Sequence, residues 1–259
     1  MRLTRVYVDA PLAAGERVTL EGTAAGHMTR VLRLRAGDAL VLFNGTGGQY
    51  AARIEHARAA RVRVALGEFR AIERESPLHL TLAQGISRGE RMDLVVQKAT
   101  ELGGALVVPL LTERSVVRLT AEQAERKLGH WRGIAVAACE QSGRNRLPQL
   151  SAPVRLADFL RTGAGGAEPA VGRSARQARL LLSPTATLTI ADVPRPVSGI
   201  SVLVGPEGGL TDGEEEAARA AGFTPTRLGP RVLRTETAAI AVLALLQSEF
   251  GDLSAGIEP

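Results

Sequence analysis

The amino-acid sequence predicts an α/β protein with a mainly parallel sheet, preceded by a small β-rich module. Two observations carry this. Residues 1–70 hold short alternating runs, "RVYVDA", "RVTL", "DALVLFNG" and "RVRVAL", separated by Gly, Asn and Asp, the pattern of a small antiparallel barrel or sandwich. After Ser76 and Pro77 the rhythm lengthens and strand-like runs alternate with helical ones, which is the order of a parallel sheet joined by helices. At 259 residues the chain is long enough for two cores. The domains are therefore expected at 1–72 and 73–259.

Taken in order, "NGTGGQY" at 44–50 is a hairpin turn, rich in residues that tolerate left-handed backbone. "LHLTLAQ" predicts a strand over 78–83, followed by a helix over about 92–102, a strand over 105–110 and a helix over about 120–140. Further strands are expected at 180–182, 201–204 and 226–228, with helices at 212–221 and about 236–250. The Gly- and Ala-rich stretch 161–179 lacks apolar periodicity and reads as a mobile surface loop.

Composition narrows the function. No basic, apolar, small-residue leader pattern opens the sequence, and no apolar run reaches membrane-spanning length, so a cytoplasmic protein is expected, without a membrane partner. Cys139 is the only cysteine, which excludes an intrachain disulfide and a cysteine-based metal cluster; its apolar surroundings read as core. The four histidines are scattered without ligand spacing, so no metal is expected. Of the 32 basic and 27 acidic residues, eleven and six lie in 1–70, leaving 21 of each in the remainder. The whole positive excess sits in the first module, entirely as arginine, whose planar guanidinium suits phosphate. RNA-facing candidates are Arg2, Arg5 and Arg30 there, with Arg88, Arg91 and Arg144 later in the chain.

Two motifs could carry chemistry. In "LVGPEGGLTDGE", 203–214, an apolar strand runs into a Gly-Pro turn and then a capping box, Thr211 with Glu214. Gly208 and Gly209 leave backbone N–H groups open to a ligand, while the acidic run 212–216 argues against phosphate. Neither GxxxxGK[ST] nor GxGxxG occurs, which removes the common nucleotide loops. The second motif, "RLGPRVLRTETAAIAVLALLQ", repeats the strand and Gly-Pro turn but sets Arg231, Arg234, Thr235 and Glu236 before a helix apolar on nearly every face. Such a helix must be buried, so charges at its mouth point to a site, unless they form a salt-bridged cap.

Together with "VQKATELGGALVVPLLTERSVV" and "ACEQSGRNRLPQL", these motifs closely resemble the RsmE family, ribosomal RNA methyltransferases of the SPOUT superfamily. The likeness covers nearly the whole chain. It implies a trefoil-knotted α/β domain, a PUA-like RNA-binding barrel before it, a homodimer, and S-adenosylmethionine as cofactor. It places the cofactor at Leu182, Ser183 and Pro184, at Gly205, Pro206, Glu207, Gly208 and Gly209, and at Leu228, Gly229 and Leu233. It sets Glu140, Gln141 and Arg144 beside the same pocket.

The reaction so implied is methyl transfer to N3 of a uridine in 16S rRNA of the small ribosomal subunit. N3 carries a proton at neutral pH, so Arg234 is the candidate to stabilise the uracil oxygen and Glu236 the candidate base. N3 also lies on the pairing edge, so the target must be unpaired or pulled from its stack. A related methyltransferase acting on tRNA, or a non-catalytic RNA-binding protein, is left open by the cofactor motifs alone.

Overall fold

The computed structural model describes residues 3–58, 61–115, 117–162, 177–195 and 197–254. It divides into two compact units. The first comprises residues 1–75 with 136–147; the second comprises 76–135 and 148–259.

In the first unit five strands form one sheet in the order β1-β3-β4-β5-β2. They are β1 (Thr4–Tyr7), β2 (Arg17–Glu21), β3 (Ala39–Phe43), β4 (Gln49–Arg58) and β5 (Arg61–Arg70). The sheet is mixed rather than antiparallel, because β1 lies parallel to β3; 31 residues separate the two strands, enough for a crossover where a tight turn would force antiparallel pairing. The β3–β4 connection is the expected hairpin. Asn44 Oδ1 there accepts from the N–H and hydroxyl of Thr46 at 3.3 and 2.7 Å, and Gly45, Gly47 and Gly48 take the positive φ the turn requires. Alternation along β4 and β5 turns Ala52, Ile54, Val62, Val64 and Leu66 into one core with Leu40, Leu42 and Met28.

The second unit is built on a sheet in the order β12-β10-β11-β6-β7-β8, with β9 also pairing β7. Its strands are β6 (His79–Gly85), β7 (Leu106–Leu111), β8 (Gln149–Leu150), β9 (Val154–Arg155), β10 (Gln177–Leu182), β11 (Gly199–Val204) and β12 (Thr224–Thr226), all paired in parallel. The helices are α2 (Arg91–Glu101), α4 (Leu156–Thr162), α5 (Asp212–Ala220) and α6 (Thr235–Phe250); a short α1 (Gly22–Gly26) belongs to the first unit, and α3 (Ala121–Ser142) runs from the second unit into the first.

Both faces of this sheet are covered, which explains its continuously apolar strands. Leu80, Leu82, Ile200, Val202 and Val204 pack with α2 and α6, whereas Ala83, Leu106, Val108 and Leu203 pack under α4 and α5. The segment expected as a loop over 161–179 contains the end of α4 and the first residues of β10; 163–176 lie outside the described residues. No helix among the described residues is long and apolar enough to cross a membrane.

Candidate active site

Because β6, β10, β11 and β12 are parallel, their carboxyl ends lie on one edge, where open α/β sheets place their ligands. The loops after β10, β11 and β12 and the start of α6 surround one cavity of about 590 Å³. It is lined by Leu182, Ser183 and Pro184, by Gly205 to Leu210, by Leu228 and Gly229, and by Arg231 to Glu236. The structure thus brings together every residue the sequence assigned to the cofactor, and the two assigned to catalysis.

Local rules hold each loop. The capping box after β11 forms: Thr211 Oγ1 accepts from the Glu214 N–H at 3.2 Å while the Glu214 carboxylate accepts from the Thr211 N–H at 2.9 Å. The other Glu214 oxygen accepts from the Glu113 N–H at 2.8 Å. Arg114 donates to the carbonyls of Gly208 and Leu210 at 3.3 and 3.0 Å, so the segment following β7 holds the turn from behind. Arg114 lies within the segment "TERSVV", where its partners, 94 and 96 residues away, leave no local signal of this role. Of the two N–H groups expected to be open, that of Gly209 donates to Pro206 O at 2.9 Å and closes the turn. Gly209 and Gly229 both adopt positive φ.

Charge is concentrated at the cavity mouth. Glu207 accepts from the Arg88 N–H at 3.0 Å and from Arg91 Nη1 at 2.7 Å. Burial opposes ionisation of Glu207, but these donors outweigh it and hold its carboxyl below the usual range. Arg91 Nε also lies 3.8 Å from Glu236. The second oxygen of Glu236 is buried with no partner among the described residues. The guanidiniums of Arg231 and Arg234 line the cavity without a hydrogen bond or ion pair among the described residues. Buried, unmatched acceptor and unpaired cations in one cavity mark a place built for a ligand.

The arginines expected to face RNA divide. Arg30 and Arg88 are exposed. Arg91 is committed to Glu207 at the cavity. Arg5 and Arg144 need correction, being buried inside the first unit. Arg5 bonds Gln49, Asn145 Oδ1 at 2.6 Å and Arg144 O at 3.0 Å; Arg144 pairs with Glu75 at 3.1 and 2.5 Å. Burial against internal acceptors keeps both guanidiniums away from an RNA backbone at the surface. Glu140 is likewise engaged within the first unit, accepting from the Tyr7 N–H at 2.9 Å. Arg2 lies outside the described residues. Cys139 is buried, and burial pushes its thiol up to about 11, away from nucleophilic use. Among the described residues no three metal-ligating side chains cluster.

The model of the RNA methyltransferase domain family matches residues 74–247, and that of the RNA methyltransferase PUA domain matches 20–65. A ribosomal RNA small subunit methyltransferase E of Buchnera aphidicola is 31% identical over 98% of this chain and 99% of its own. The chain belongs to the ribosomal RNA small subunit methyltransferase E family. Another member, from Synechocystis, is 34% identical over 89% of this chain and 73% of its own. Among solved structures, a methyltransferase E from Neisseria gonorrhoeae, bound to S-adenosyl methionine, is 34% identical, with a TM-score of 0.86 over 97% of this chain and 100% of that one. A Legionella pneumophila methyltransferase in complex with the cofactor SAM is 40% identical, with a TM-score of 0.90 over 98% of this chain and 100% of that one.

Proposed function

We propose that this protein transfers a methyl group from S-adenosylmethionine to N3 of a uridine in 16S ribosomal RNA of the small subunit. The observation that carries the proposal is the cavity at the carboxyl ends of β10, β11 and β12, with Arg234 and Glu236 on its wall.

The residues present fit the cofactor. A Cβ on Gly205 would lie 3.2 Å from the backbone of Gly209 and Leu210, so a side chain there would press on the turn's own backbone. Its neighbours Leu182, Pro184, Val204 and Leu228 supply apolar walls, while Glu207, Glu215 and Glu236 share the lining with Arg91, Arg231 and Arg234, so both signs of charge are present. That combination suits a ligand with an apolar body that carries both cationic and anionic groups, as the sulfonium, ammonium and carboxylate of S-adenosylmethionine do. Leu182 to Pro184, Gly205 to Gly209 and Leu228 to Leu233 would hold it. When bound, S-adenosylmethionine supplies a methyl group made electrophilic by its sulfonium.

The chain's own groups manage the nucleophile. The unpartnered oxygen of Glu236 is an acceptor for the N3 proton, and the unpaired guanidinium of Arg234 is available to the negative charge that grows on the uracil oxygens. Close packing of the turns restricts the approach to one direction, which lowers the barrier through orientation. Exposed arginines of the first unit, Arg30 among them, would attract the RNA backbone.

A homodimer belongs to the same proposal. The outward stripe of α6 carries Ala241, Ala244 and Leu245, and Leu245 is 45% exposed on a helix whose Ala239, Val242, Leu243 and Leu246 are buried. Sedimentation of the purified protein tests this, with Leu245→Glu expected to shift it toward the monomer.

Incubation with labelled S-adenosylmethionine and small-subunit particles lacking the modification, followed by mass spectrometry of the nucleosides, tests the reaction. The expected product is 3-methyluridine. A different methylated nucleoside would refute the N3 assignment, and no product from any RNA would refute the activity.

A further inference from the structure

We infer that Gln84 is a positioning residue for the methyl-transfer site, acting through Thr235 and the Gly205 carbonyl; the inference rests on the function proposed above. Gln84 is the penultimate residue of β6, with β11 on one side and β7 on the other, paired with Val204 and Pro109. It is 0% exposed. Leu80, Leu82 and Ala83 before it are apolar and buried, and Thr81 is buried as well; an apolar side chain would fill the place of Gln84 without the cost of a buried amide.

What the carboxamide does is join three segments far apart in sequence. Its Nε2 donates to Thr235 Oγ1 at 2.8 Å, to Gly85 O at 2.9 Å and toward Gly205 O at 3.4 Å. Thr235 Oγ1 in turn donates to Gly205 O at 2.6 Å. Gly85 is squeezed at the same crossing: a Cβ there would lie 2.5 Å from the backbone nitrogen of Pro206. The Oε1 of Gln84 is buried without a partner among the described residues. An amide kept in the sheet centre with half its hydrogen-bonding capacity unmet is poor design for stability. It is good design for holding two acceptors at fixed places.

Those places matter because of what flanks them. Thr235 is the first residue of α6, and its predecessor Arg234 makes no side-chain cap. The helix start is therefore pinned by the Thr235 hydroxyl instead, to Gly205 at the opening of the β11 turn. Arg234 and Glu236 stand on either side of that pin, and both line the cavity. Gln84 touches neither, yet through Thr235 it sets the rotation of the first turn of α6 and hence the direction of both catalytic side chains. Through the Gly205 carbonyl it sets that turn relative to the wall formed by the other loops. Misplacement of about 1 Å is enough to slow a reaction that depends on orientation by about a hundredfold.

The test is steady-state methylation of small-subunit particles by wild type, Gln84→Met, Thr235→Val, Thr235→Ser and the Gln84→Met/Thr235→Val double variant. Cofactor Kd is measured in parallel by calorimetry. Expected is a fall in kcat of roughly tenfold to a hundredfold for Gln84→Met and for Thr235→Val, with cofactor Kd changed less than about threefold. The double variant should be no slower than the worse single one, because both break the same link. Thr235→Ser, which keeps the hydroxyl, should retain most of the rate. Unimpaired kcat in Gln84→Met, additive losses in the double variant, or a loss confined to cofactor Kd would each overturn the role while wild type remains active. If Gln84→Met fails to fold, the contrast between Thr235→Val and Thr235→Ser decides: equal rates overturn the role and a hydroxyl-dependent rate supports it. An inactive wild type would overturn the proposed function itself, and this role with it.

Discussion

Arg91 and Glu207 stand 116 residues apart in sequence and meet at 2.7 Å, joining the first turn of α2 to the cavity turn after β11. Arg91 also reaches Glu236, so one guanidinium lies between a carboxylate of the proposed cofactor turn and a carboxylate of the proposed catalytic helix. A residue that reads from sequence as a phosphate contact is thus part of the cavity wall. The arrangement keeps two acidic groups of the cavity in place while leaving Arg231 and Arg234 unpaired for substrate.

Glu207→Gln should therefore weaken cofactor binding modestly. The amide can still accept from the Arg88 N–H, but it loses its charge toward Arg91, and a part-exposed ion pair contributes up to about 1 kcal/mol. A two- to fivefold rise in cofactor Kd by calorimetry is expected. The pH dependence follows in sign: the folded carboxyl is held below its ordinary value, so its stabilising contribution is present above that value and is lost as pH falls through the depressed one. Thermal melts from pH 7 down to pH 3 should show this acid loss in wild type and not in Glu207→Gln.

Arg234→Ala is expected to abolish turnover while leaving affinity for cofactor and RNA nearly intact. Its guanidinium contributes to the cavity but to none of the hydrogen bonds that hold the fold, so the folded state should survive. Loss of one charge-stabilising donor in a preorganised site costs about 10²- to 10³-fold in kcat. Single-turnover methylation separates this from a binding defect, and a variant with wild-type kcat would remove Arg234 from the chemistry.

How much of this was legible in sequence depended on the range of the interaction. The strand, turn and capped helix from 199 to 220 could be read directly, because an apolar run, a glycine turn and a capping box are all set within a few residues. The start of α6 was legible for a similar reason: charges before an all-apolar helix stand out. Arg5 and Arg144 were misread since a charged letter looks the same whether it meets water or an internal acceptor. Their partners, Asn145 for the one and Glu75 for the other, lie 140 and 69 residues away. Gln84 falls just past the strand expected over 78–83 and nothing local marks it, its partner Thr235 lying 151 residues on. Parallel pairing of β1 with β3 was equally invisible, since alternation shows a strand's faces but not its neighbour's direction.

The corrected arginines yield a contrast within the first unit. Arg144→Ala leaves Glu75 without its cation and opens a buried space, so a loss of about 3 kcal/mol in urea unfolding is expected. Arg30→Ala, at an exposed position, should leave stability within about 0.5 kcal/mol. It should instead weaken RNA binding and reduce the slope of log K against log salt by about 1. Equal stability losses in the two variants would refute the division between a buried structural arginine and a surface one.

Glu140 offers a test with the opposite pH sign to Glu207. Burial raises its carboxyl above the ordinary 4.5, and the Tyr7 N–H, His27 and Arg5 only partly offset this. A carboxyl raised on folding contributes stability that is fully present below the unfolded value and is lost as pH rises through the folded one. Above the folded value the native protein therefore holds an ionised group that burial disfavours. Glu140→Gln keeps a carbonyl oxygen for the Tyr7 N–H and removes the charge, so it should melt higher than wild type at pH 8, by roughly 2–4 °C for each 1 kcal/mol gained. Below pH 4.5 wild-type Glu140 is itself protonated, so the two melting points should converge there. If Glu140→Gln melted lower than wild type at pH 8, the attraction of Arg5 and His27 would outweigh burial, and Glu140 would have to be counted among the stabilising charges of the first unit.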